Sequence, residues 1–313
     1  MIDGRRVVVT GGAGSFGQAF VRRVLALNVG KVIVYSRDEY KHAMMREAIP
    51  DPRLQFFIGD VRDRDRLVRA MRGVDYVVHA AALKRVDALE YNPDEAVETN
   101  IRGAQNVIHA AIANDVLRVV GLSSDKACNP VNLYGSTKKV AEHLFMDGNA
   151  YSGSGPTRFA CTRYGNVVGS RGSVVPLFER QRDAGGPITI TDPGMTRFWM
   201  TLDESVDLVL LAMAKMRGGE VFVPKLPAVT IPNLAEAVAP GVKVEVIGVR
   251  AGEKLHEVMV GPDEARNTLE YADHFRIVRN AEEYGGTPLA QGFEYSSNKA
   301  RRLNTQEIRE ALR

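Results

Sequence analysis

The segment TGGAGSFG, Thr10–Gly17, decides the fold because it connects a short apolar run to an amphipathic one. Arg5–Thr10 is rich in Val and predicts a strand, and Phe16–Leu27 has the periodicity of a helix. Glycines let the backbone turn sharply here and let a pyrophosphate approach the N-terminus of the helix. The order of strand, turn and helix therefore predicts a dinucleotide site, whose residues are Thr10, Gly11, Gly14, Ser15, Phe16 and Gly17.

The alternation of strands and helices continues through the first half of the chain. The expected strands are rich in Val and Ile: Arg5–Thr10, Lys31–Tyr35, Leu54–Gly59, Asp75–His79, Arg118–Ser123 and Thr157–Arg163. The expected helices lie between them: Phe16–Leu27, Asp63–Arg72, Pro93–Asn114 and Tyr134–Gly148. Continuously apolar strands that alternate with helices form a parallel sheet covered on both faces. We expect an α/β fold with a Rossmann-like, doubly wound parallel sheet.

The regular alternation ends after Gly165, where prolines and turn signals become frequent. A helix is expected over Leu202–Met216, and Val221–Val223 is a short strand that could return to the sheet. The sequence therefore predicts a second, smaller lobe for the substrate, and we expect the site between sheet and lobe because ligands lie at the carboxyl ends of such strands. The predicted cofactor-binding domain is 1–165 plus 198–223, and the predicted discontinuous lobe is 166–197 plus 224–313.

Composition argues against several classes of protein. The 313 residues carry a net charge of +3, which suits an anionic small ligand but is too weak to indicate a nucleic-acid partner. No apolar stretch approaches the roughly 18 residues of a membrane helix, and no signal-peptide pattern precedes the Gly-rich loop. The two cysteines, Cys128 and Cys161, have no metal-binding spacing. We expect a cytoplasmic protein with no metal, membrane or nucleic-acid partner.

The end of the second expected strand bears on the choice of cofactor. An NAD-binding protein usually has an acid there for the ribose 2′-hydroxyl, whereas Arg accommodates a 2′-phosphate. Ser36 and Arg37, with Lys41 nearby, favour NADP over NAD. The alternative is that Arg37 is a solvated surface charge and that Asp38 binds the ribose. Further cofactor contacts are expected after the third and fourth strands, at Asp60, Val61, Ala80, Ala81 and Ala82.

The block SSDKACNPVNLYGSTK, Ser123–Lys138, follows the fifth expected strand. Tyr134 and Lys138 are four residues apart on an expected helix and therefore share a face. An ammonium group beside a phenol lowers the phenol pKa, which would make Tyr134 a base near neutral pH. The spacing is common by chance, but after a dinucleotide fold it indicates removal of a hydroxyl proton during hydride transfer.

An acid and a base stand side by side nine residues before Tyr134. Asp125 and Lys126 suit a dehydration, in which one group removes an α-proton and the other protonates a departing hydroxyl. Asp125 then needs a raised pKa, from burial or from its neighbours, and Lys126 needs a lowered pKa, from desolvation. The alternative is a loop ion pair on the surface, worth under about 1 kcal/mol.

With these motifs the chain resembles an extended short-chain dehydrogenase/reductase. Within that family it is most similar to the nucleotide-sugar 4,6-dehydratases that act on UDP-N-acetylglucosamine, of the soluble, C5-inverting, pseudaminic acid type. The resemblance covers nearly the whole chain. It is carried by SSDKACNPVNLYGSTK and by further segments: Val34–Glu39, Ala82–Pro93, Thr162–Phe178, Thr191–Thr201, Val223–Lys225, Arg250–Glu257 and Tyr295–Asn298.

The resemblance implies a mechanism with no net redox change. Tyr134 takes the proton of the sugar O4 while the C4 hydride passes to NADP. Lys126 then removes the C5 proton, Asp125 protonates O6 as it leaves as water, and the hydride returns to C6. Reprotonation of C5 from the opposite face inverts that centre, and the cofactor ends as it began.

The resemblance also implies supporting and substrate-binding residues. Ser124 would assist Tyr134 and Lys138, and Asn100 would lie beside the cofactor in a structural role. The diphosphate of a UDP-sugar requires Arg or Lys, mainly from the lobe. The candidate substrate contacts, for each of which a solvated surface residue is the alternative, are Lys84, Asn166, Arg171, Ser173, Arg197, Lys225, Arg250 and Glu253.

Two other functions remain open. A nucleotide-sugar 4-epimerase shares the cofactor and the Tyr134–Lys138 pair but does not need Asp125 and Lys126. A non-catalytic NADP-sensing protein of the same fold predicts a broken YxxxK motif, whereas this motif is intact. The family further implies a homo-oligomer, a dimer or a hexamer, and a product that is a precursor of a bacterial surface sugar.

Overall fold

The computed structural model describes residues 2–168 and 173–312 of the chain. Its strands are β1 (Arg6–Thr10), β2 (Lys31–Ser36), β3 (Leu54–Ile58), β4 (Tyr76–His79), β5 (Arg118–Leu122), β6 (Arg158–Thr162), β7 (Asn166–Val167), β8 (Ile188–Ile190), β9 (Thr196–Met200), β10 (Val221–Pro224), β11 (Ala228–Thr230), β12 (Val244–Val246), β13 (Val258–Val260), β14 (Thr268–Glu270), β15 (His274–Ile277), β16 (Thr287–Pro288) and β17 (Tyr295–Ser296). Its helices are α1 (Ser15–Ala26), α2 (Glu39–Ala48), α3 (Arg64–Ala70), α4 (Val86–Leu89), α5 (Pro93–Ala96), α6 (Gly103–Ile112), α7 (Leu133–Ser152), α8 (Val174–Asp183), α9 (Leu202–Lys215), α10 (Ile231–Val238) and α11 (Thr305–Ala311).

A large sheet forms the centre of the molecule. Seven strands run parallel in the order β3-β2-β1-β4-β5-β6-β10, and β15, β14 and β16 extend this sheet with antiparallel pairing. The expected strand at Val221–Val223 is confirmed, because β10 pairs in parallel with β6. Val7, Val8 and Val9 are fully buried, as expected for strands covered on both faces. The predicted doubly wound α/β fold is confirmed.

The helix expected over Pro93–Asn114 is not one regular α-helix. Pro93 occupies the first turn, as predicted, but a π-helical segment, Val97–Arg102, separates α5 from α6. Asn100 lies within this wider turn, and its side chain forms hydrogen bonds with the loop after β4 and with α7. Such π segments often occur at functional sites, and the sequence pattern does not distinguish them from α-helix.

The second half of the chain adds smaller sheets, with strand orders β11-β9-β7, β12-β8 and β13-β17. Around them, α8, α10 and α11 enclose a separate apolar cluster that includes Phe178, Trp199, Leu234 and Ile308. Strands β14 to β16 belong to the segment assigned to the lobe, yet they lie in the main sheet, so the division into two units stays a prediction. None of the described helices is both long enough and apolar enough to cross a membrane.

Candidate active site

The Gly-rich turn joins β1 to α1 and packs closely against the loop that follows β4. Gly11 has φ +67°, and a Cβ there would lie 2.8 Å from the backbone of Ala81. A Cβ on Gly17 would lie 2.4 Å from Gly12, so α1 can approach the turn only without a side chain at that point. Helix α1 has neither a side-chain cap nor an acid in its first turn. Its exposed N–H groups therefore fit a pyrophosphate.

Hydrogen bonds fix this turn to the end of β4. The hydroxyl of Thr10 lies 2.7 Å from Nδ1 of His79, and the Ala80 N–H donates to the Thr10 carbonyl at 3.1 Å. Burial, together with the nearby Lys138 ammonium, lowers the pKa of His79 to about 3. His79 is therefore neutral at physiological pH. The small residues Ala80, Ala81 and Ala82 follow it and remain partly exposed beside the turn.

At the end of β2, the residues predicted to select the cofactor mostly contact one another. The Ser36 hydroxyl lies 2.6 Å from Nε2 of His42. Asp38 caps α2 by accepting from the Lys41 N–H at 3.0 Å, and its carboxylate also pairs with the Lys41 ammonium, which lowers the Asp38 pKa. The Arg37 side chain is 54% exposed and lies 3.6 Å from the Asp60 carboxylate.

Four predicted cofactor residues remain: Tyr134 and Lys138, which were also predicted to be catalytic and lie on α7, and Val61 and Asn100, which differ in their surroundings. Val61 is buried, and a Cβ on Gly103 would lie 2.8 Å from its side chain. Asn100 bonds in both directions with the Leu83 backbone, at 2.8 and 2.9 Å, and donates to the Thr137 hydroxyl at 3.0 Å. Asn100 thus ties the loop after β4 to helix α7.

The acid–base pair lies on a single 3₁₀ turn, Asp125–Ala127, directly after β5. Asp125 is only 1% exposed, which excludes a surface ion pair. Its Oδ1 accepts from the Ser124 hydroxyl at 2.9 Å and from Nζ of Lys126 at 3.1 Å. Its Oδ2 is buried and has no hydrogen-bond partner in the described part of the chain. An acid in this state is available to a bound ligand.

The pKa expectations for the pair were half correct. Burial raises the pKa of Asp125, and the negative charge of Glu257 raises it further, as predicted for an acid. The predicted lowering of the Lys126 pKa is wrong. Although burial acts to lower it, the carboxylates of Asp125 and Glu257 outweigh burial, so the Lys126 pKa is raised. Lys126 is an ammonium ion in this arrangement.

Helix α7 brings Tyr134 to the same turn. Asn132 caps the helix by accepting from the Gly135 N–H at 2.8 Å. A Cβ on Gly135 would lie 2.2 Å from the Lys126 carbonyl oxygen, so the helix and the turn are in contact. The structure therefore brings together Tyr134, Asp125 and Lys126, three of the residues that the sequence predicts to be catalytic.

The predicted lowering of the Tyr134 pKa by Lys138 is wrong. Burial raises the pKa of Tyr134, whereas the charge of Lys126 and a hydrogen bond with Ser124 act to lower it. Lys138, one turn further along α7, is itself buried, and burial lowers the pKa of its ammonium. The positive charge that acts on the phenol is therefore that of Lys126, because α7 packs directly on the turn that carries it.

Glu257 is a site residue that the sequence interpretation missed. It is 3% exposed, its Oε1 lies 3.0 Å from Nζ of Lys126, and its Oε2 is buried with no hydrogen-bond partner among the described residues. Although burial acts to raise its pKa, the charges of Lys126 and Arg197 hold that pKa below its usual value. Glu257 lies in the segment Arg250–Glu257, which carries part of the family resemblance, but the sequence pattern indicates Glu253 as the acid of this segment that contacts the substrate.

A second missed cluster lies beside α7 and is centred on Arg163. The Arg163 guanidinium is fully buried and bonds to both oxygens of Glu142, at 2.8 and 2.6 Å, and of Glu264, at 2.7 and 2.9 Å. Lys139 adds a bond of 2.6 Å to Glu264. This network joins the end of β6, helix α7 and the segment after β13. No local motif marks it, because each member looks like an ordinary surface charge in the sequence.

The predicted substrate contacts are dispersed around the site. The Arg197 guanidinium donates to the Leu255 carbonyl at 3.1 Å, and its Nε lies 3.9 Å from Glu257. Lys225 pairs with Glu270 at 2.7 Å, at the end of β10. Thus only Arg197 of these two lies directly beside the acid–base pair.

The other predicted contacts have few interactions of their own. Lys84, Asn166 and Arg250 are exposed, and Glu253 and Ser173 are partly exposed. Arg171 lies outside the described residues. The segment that contains Arg250 and Glu253 nevertheless docks on the site, because Asn132 donates to the Gly252 carbonyl at 2.8 Å and Lys254 donates to the Cys128 carbonyl at 2.5 Å.

Comparisons of sequence agree with this geometry. A family model described as polysaccharide biosynthesis protein matches residues 7–279. A UDP-N-acetylglucosamine 4,6-dehydratase (inverting) from Campylobacter jejuni is 47% identical, over 95% of this chain and 94% of that protein. A UDP-glucose 4-epimerase from Rickettsia canadensis is 42% identical, over 100% of this chain and 96% of that protein.

Solved structures give the same fold. The structure of Pen from Bacillus thuringiensis superposes with a TM-score of 0.93 and 38% identity, covering 99% of this chain and 97% of that one. The dTDP-glucose 4,6-dehydratase DesIV from Streptomyces venezuelae, solved with NAD and TYD, has a TM-score of 0.72 and 29% identity, covering 80% and 86%. The chain therefore belongs to the polysaccharide biosynthesis protein family and has the extended short-chain dehydrogenase/reductase fold.

Proposed function

We propose that the protein is a nucleotide-sugar 4,6-dehydratase that converts UDP-N-acetylglucosamine to a UDP-2-acetamido-2,6-dideoxy-4-keto-hexose with inversion at C5. One observation carries the proposal: the buried Asp125 and the partly buried Lys126 pair at 3.1 Å beside Tyr134. Oxidation alone requires only the Tyr134–Lys138 pair, whereas loss of water requires a second acid and base. The identity of 47% to a dehydratase over nearly the whole chain supports the same assignment.

The residues of the Thr10–Gly17 turn fit a nicotinamide dinucleotide, because the turn presents an uncapped helix N-terminus. Asp60, Val61, Ala80–Ala82 and Asn100 would complete its site. A bound nicotinamide would accept the hydride from C4 of the sugar and return it to C6 within the same turnover. NADP is favoured over NAD because the Asp38 carboxylate already caps α2 and pairs with the Lys41 ammonium. Asp38 is therefore not available to a ribose 2′-hydroxyl, whereas Arg37 is available to a 2′-phosphate. If this is correct, Arg37→Ser lowers the NADP-over-NAD affinity ratio by about tenfold, since one charge-assisted bond is worth roughly 1.5 kcal/mol.

The residues of the turn can perform the proton transfers. Tyr134 accepts the O4 proton, assisted by Ser124 and by the positive charge of Lys126. Transfer of one Lys126 proton to Asp125, across the 3.1 Å contact, gives a neutral amine and a neutral acid. The amine then accepts the C5 proton, and Asp125 donates its proton to the departing O6. The raised pKa of Asp125 favours the proton on its carboxyl group before this last step.

The substrate contacts are proposed on charge and position. Arg197 lies beside Glu257, and Lys84, Asn166, Ser173, Lys225, Arg250 and Glu253 belong to segments around the site; Arg171 is proposed from the sequence alone. We also propose that the protein acts in the cytoplasm as a homo-oligomer, and that its product is a precursor of a bacterial surface polysaccharide.

One experiment tests the reaction. The purified protein is incubated with UDP-N-acetylglucosamine in D₂O, and the product is followed by NMR. We expect a 4-keto-6-deoxy sugar with deuterium at C5 and the inverted configuration. A C4 epimer that keeps its C6 hydroxyl would instead support the second candidate, an epimerase, which the 42% identity to such a relative favours. Unchanged substrate would favour a non-catalytic NADP-sensing protein.

A variant then tests the residue roles. Lys126→Ala should abolish loss of the C6 hydroxyl, because the C5 proton has no acceptor. Oxidation at C4 should slow but remain detectable as reduced nicotinamide, because Tyr134 is intact but has lost the positive charge of Lys126. Loss of water at the normal rate would show that Lys126 is not the base.

A further inference from the structure

Lys126 lies between two carboxylates that come from distant parts of the chain. Asp125 approaches its Nζ at 3.1 Å from the same turn, and Glu257 approaches at 3.0 Å from the segment before β13. Both carboxylates are almost completely buried. One of them, Asp125, already has a role in the proposed reaction, whereas Glu257 has none.

The position of Glu257 is built by side chains from two further segments. Its N–H donates to the Ser297 hydroxyl at 3.0 Å, and the Ser297 N–H donates to its carbonyl at 2.8 Å. The Ser297 hydroxyl in turn lies 2.7 Å from the Thr196 hydroxyl on β9. Thr196 and Ser297 are buried. A carboxylate whose backbone is held this firmly can hold the group that it contacts in one place.

The charged groups around Glu257 are few. Lys126 is in contact with it, Arg197 lies at 3.9 Å, and Lys254 also acts on it at longer range. Asp125 is the other acid near it, and its pKa is raised by the charge of Glu257. The phenol of Tyr134 lies within the influence of both Lys126 and Asp125.

We propose that Glu257 is a positioning residue, which orients Lys126 and stabilises the ammonium ion that Lys126 forms when it accepts the C5 proton. This inference rests on the proposed dehydratase function. A carboxylate that orients a base and stabilises its protonated form is a recurring arrangement in enzymes. Oε1 of Glu257 makes the contact with Lys126, whereas its Oε2 has no protein partner in the described residues.

The proton balance keeps Glu257 ionised throughout. Lys126 first gives one proton to Asp125 and becomes an amine. The C5–H bond then breaks, its proton forms the third N–H bond of Lys126, and its electron pair forms the C5–C6 double bond as the C6–O6 bond breaks. The Asp125 proton goes to O6, which leaves as water. Glu257 faces a neutral amine before this step and an ammonium after it, so its charge opposes the first transfer, which forms the amine, and favours the second, which restores the ammonium.

The variant that tests the inference is Glu257→Gln, which keeps the shape and removes the charge. We expect kcat for dehydration to fall roughly 10- to 100-fold, the usual effect of losing a carboxylate behind a functional group, with KM nearly unchanged. Loss of a negative charge lowers the pKa of both Lys126 and Asp125, so both limbs of the pH–rate profile should move to lower pH. The isotope effect on kcat with substrate deuterated at C5 should rise.

A purely structural role for Glu257 would lower activity without moving the pH profile or the isotope effect, and that result would overturn the inference. Glu257→Asp should restore the pH profile at a reduced kcat, because it restores the charge. Glu236→Gln, which removes one carboxylate of an exposed ion pair with Arg309, is the matched control and should behave as the unaltered protein. If the unaltered protein forms no 4-keto-6-deoxy product, the proposed function fails, and this result is distinct from a failure of the Glu257 variant alone.

Discussion

The cofactor region and the acid–base cluster are built in opposite ways. The Gly-rich part of the cofactor region is one continuous stretch, β1, its turn and α1, and its close contacts are to the end of the neighbouring strand β4 and the loop after it. The acid–base cluster combines the turn after β5, the start of α7 and the segment that ends at Glu257. Local geometry therefore determines the first, whereas long-range packing determines the second. The difference teaches that a motif can locate a catalytic group without determining its charge state.

The largest effect is expected at the acid–base cluster. Asp125→Asn removes the acid but keeps its size, so dehydration should slow by roughly 10²- to 10⁴-fold, the range for general acid–base catalysis. Affinity for NADP should not change, because the turn at Thr10–Gly17 is not touched. Steady-state kinetics and a cofactor titration measure the two quantities.

Asp183→Asn is the control for that change, since Asp183 pairs with Arg182 at an exposed position. If Asp125→Asn weakened cofactor binding as strongly as it slowed dehydration, the two regions would not be separate.

The second prediction concerns the network that joins distant segments beside α7. Arg163→Ala leaves the carboxylates of Glu142 and Glu264 without their main partner, so the free energy of unfolding should fall by about 3–5 kcal/mol. Urea unfolding, followed by circular dichroism, measures it. Arg301→Ala breaks an exposed pair with Glu307 and should cost less than about 1 kcal/mol. Equal losses in both variants would contradict the proposed importance of the buried network.

The third prediction concerns the contact between α7 and the turn. Gly135→Ala should improve helix propensity, yet its Cβ would lie 2.2 Å from the Lys126 carbonyl oxygen. We expect a net loss of about 1–3 kcal/mol of stability, as for other overpacked sites, together with reduced kcat. Thermal unfolding and kinetics test this.

At Gly186, the nearest atom to an added Cβ lies at 3.9 Å, so Gly186→Ala is the control that should retain stability. A Gly135→Ala variant that is more stable than the unaltered protein would mean that the turn can move away from α7.

At neutral pH the smallest effect is expected in the cofactor region, because the effect there develops only as the pH falls. The pKa of His79 is about 3 in the folded protein, below the value of about 6.5 for an unfolded chain. The unfolded chain therefore binds more protons between these values. The contribution of His79 to the free energy of unfolding is complete above about pH 6.5. It declines by up to about 1.4 kcal/mol per pH unit as the pH falls towards 3.

His79→Gln should flatten this pH dependence in urea unfolding measured at successive pH values below 6.5. His109→Gln, at an exposed position on α6, is the control and should leave the slope unchanged. Identical slopes in the unaltered protein and the His79 variant would show that acid sensitivity arises elsewhere, for example at Glu264, whose low pKa acts in the same direction.

The sequence was sufficient for the fold and for the residues that lie close together along the chain. Tyr134, Asp125 and Lys126 occur within one block, so a helix period and a short turn were enough to bring them together. Glu257 and Arg163 could not be found in this way, because their partners are separated from them by many residues and by several elements. The π-helical segment at Val97–Arg102 was also missed, since its side-chain pattern is that of an α-helix.

The pKa directions show most clearly what depends on tertiary structure. Burial alone would lower the pKa of Lys126, as expected from the sequence, but the carboxylates of Asp125 and Glu257 together reverse the direction. For Tyr134, the sequence pattern indicates that Lys138, four residues further on, lowers the phenol pKa. In the structure the positive charge that acts on the phenol is that of Lys126. The assignments of substrate residues and of NADP remain predictions.

The docking of the Glu257 segment has a consequence for how the enzyme matures. The ribosome supplies the chain from its N-terminus, so segments that are early in the sequence are available first. The cofactor turn can form once β4 is complete, whereas Lys126 gains its second carboxylate only after the chain has extended past residue 257. A chain that ends before residue 257 therefore contains the whole cofactor turn but lacks the second carboxylate of Lys126, and the segment that holds this carboxylate in place is complete only when Ser297 has been added.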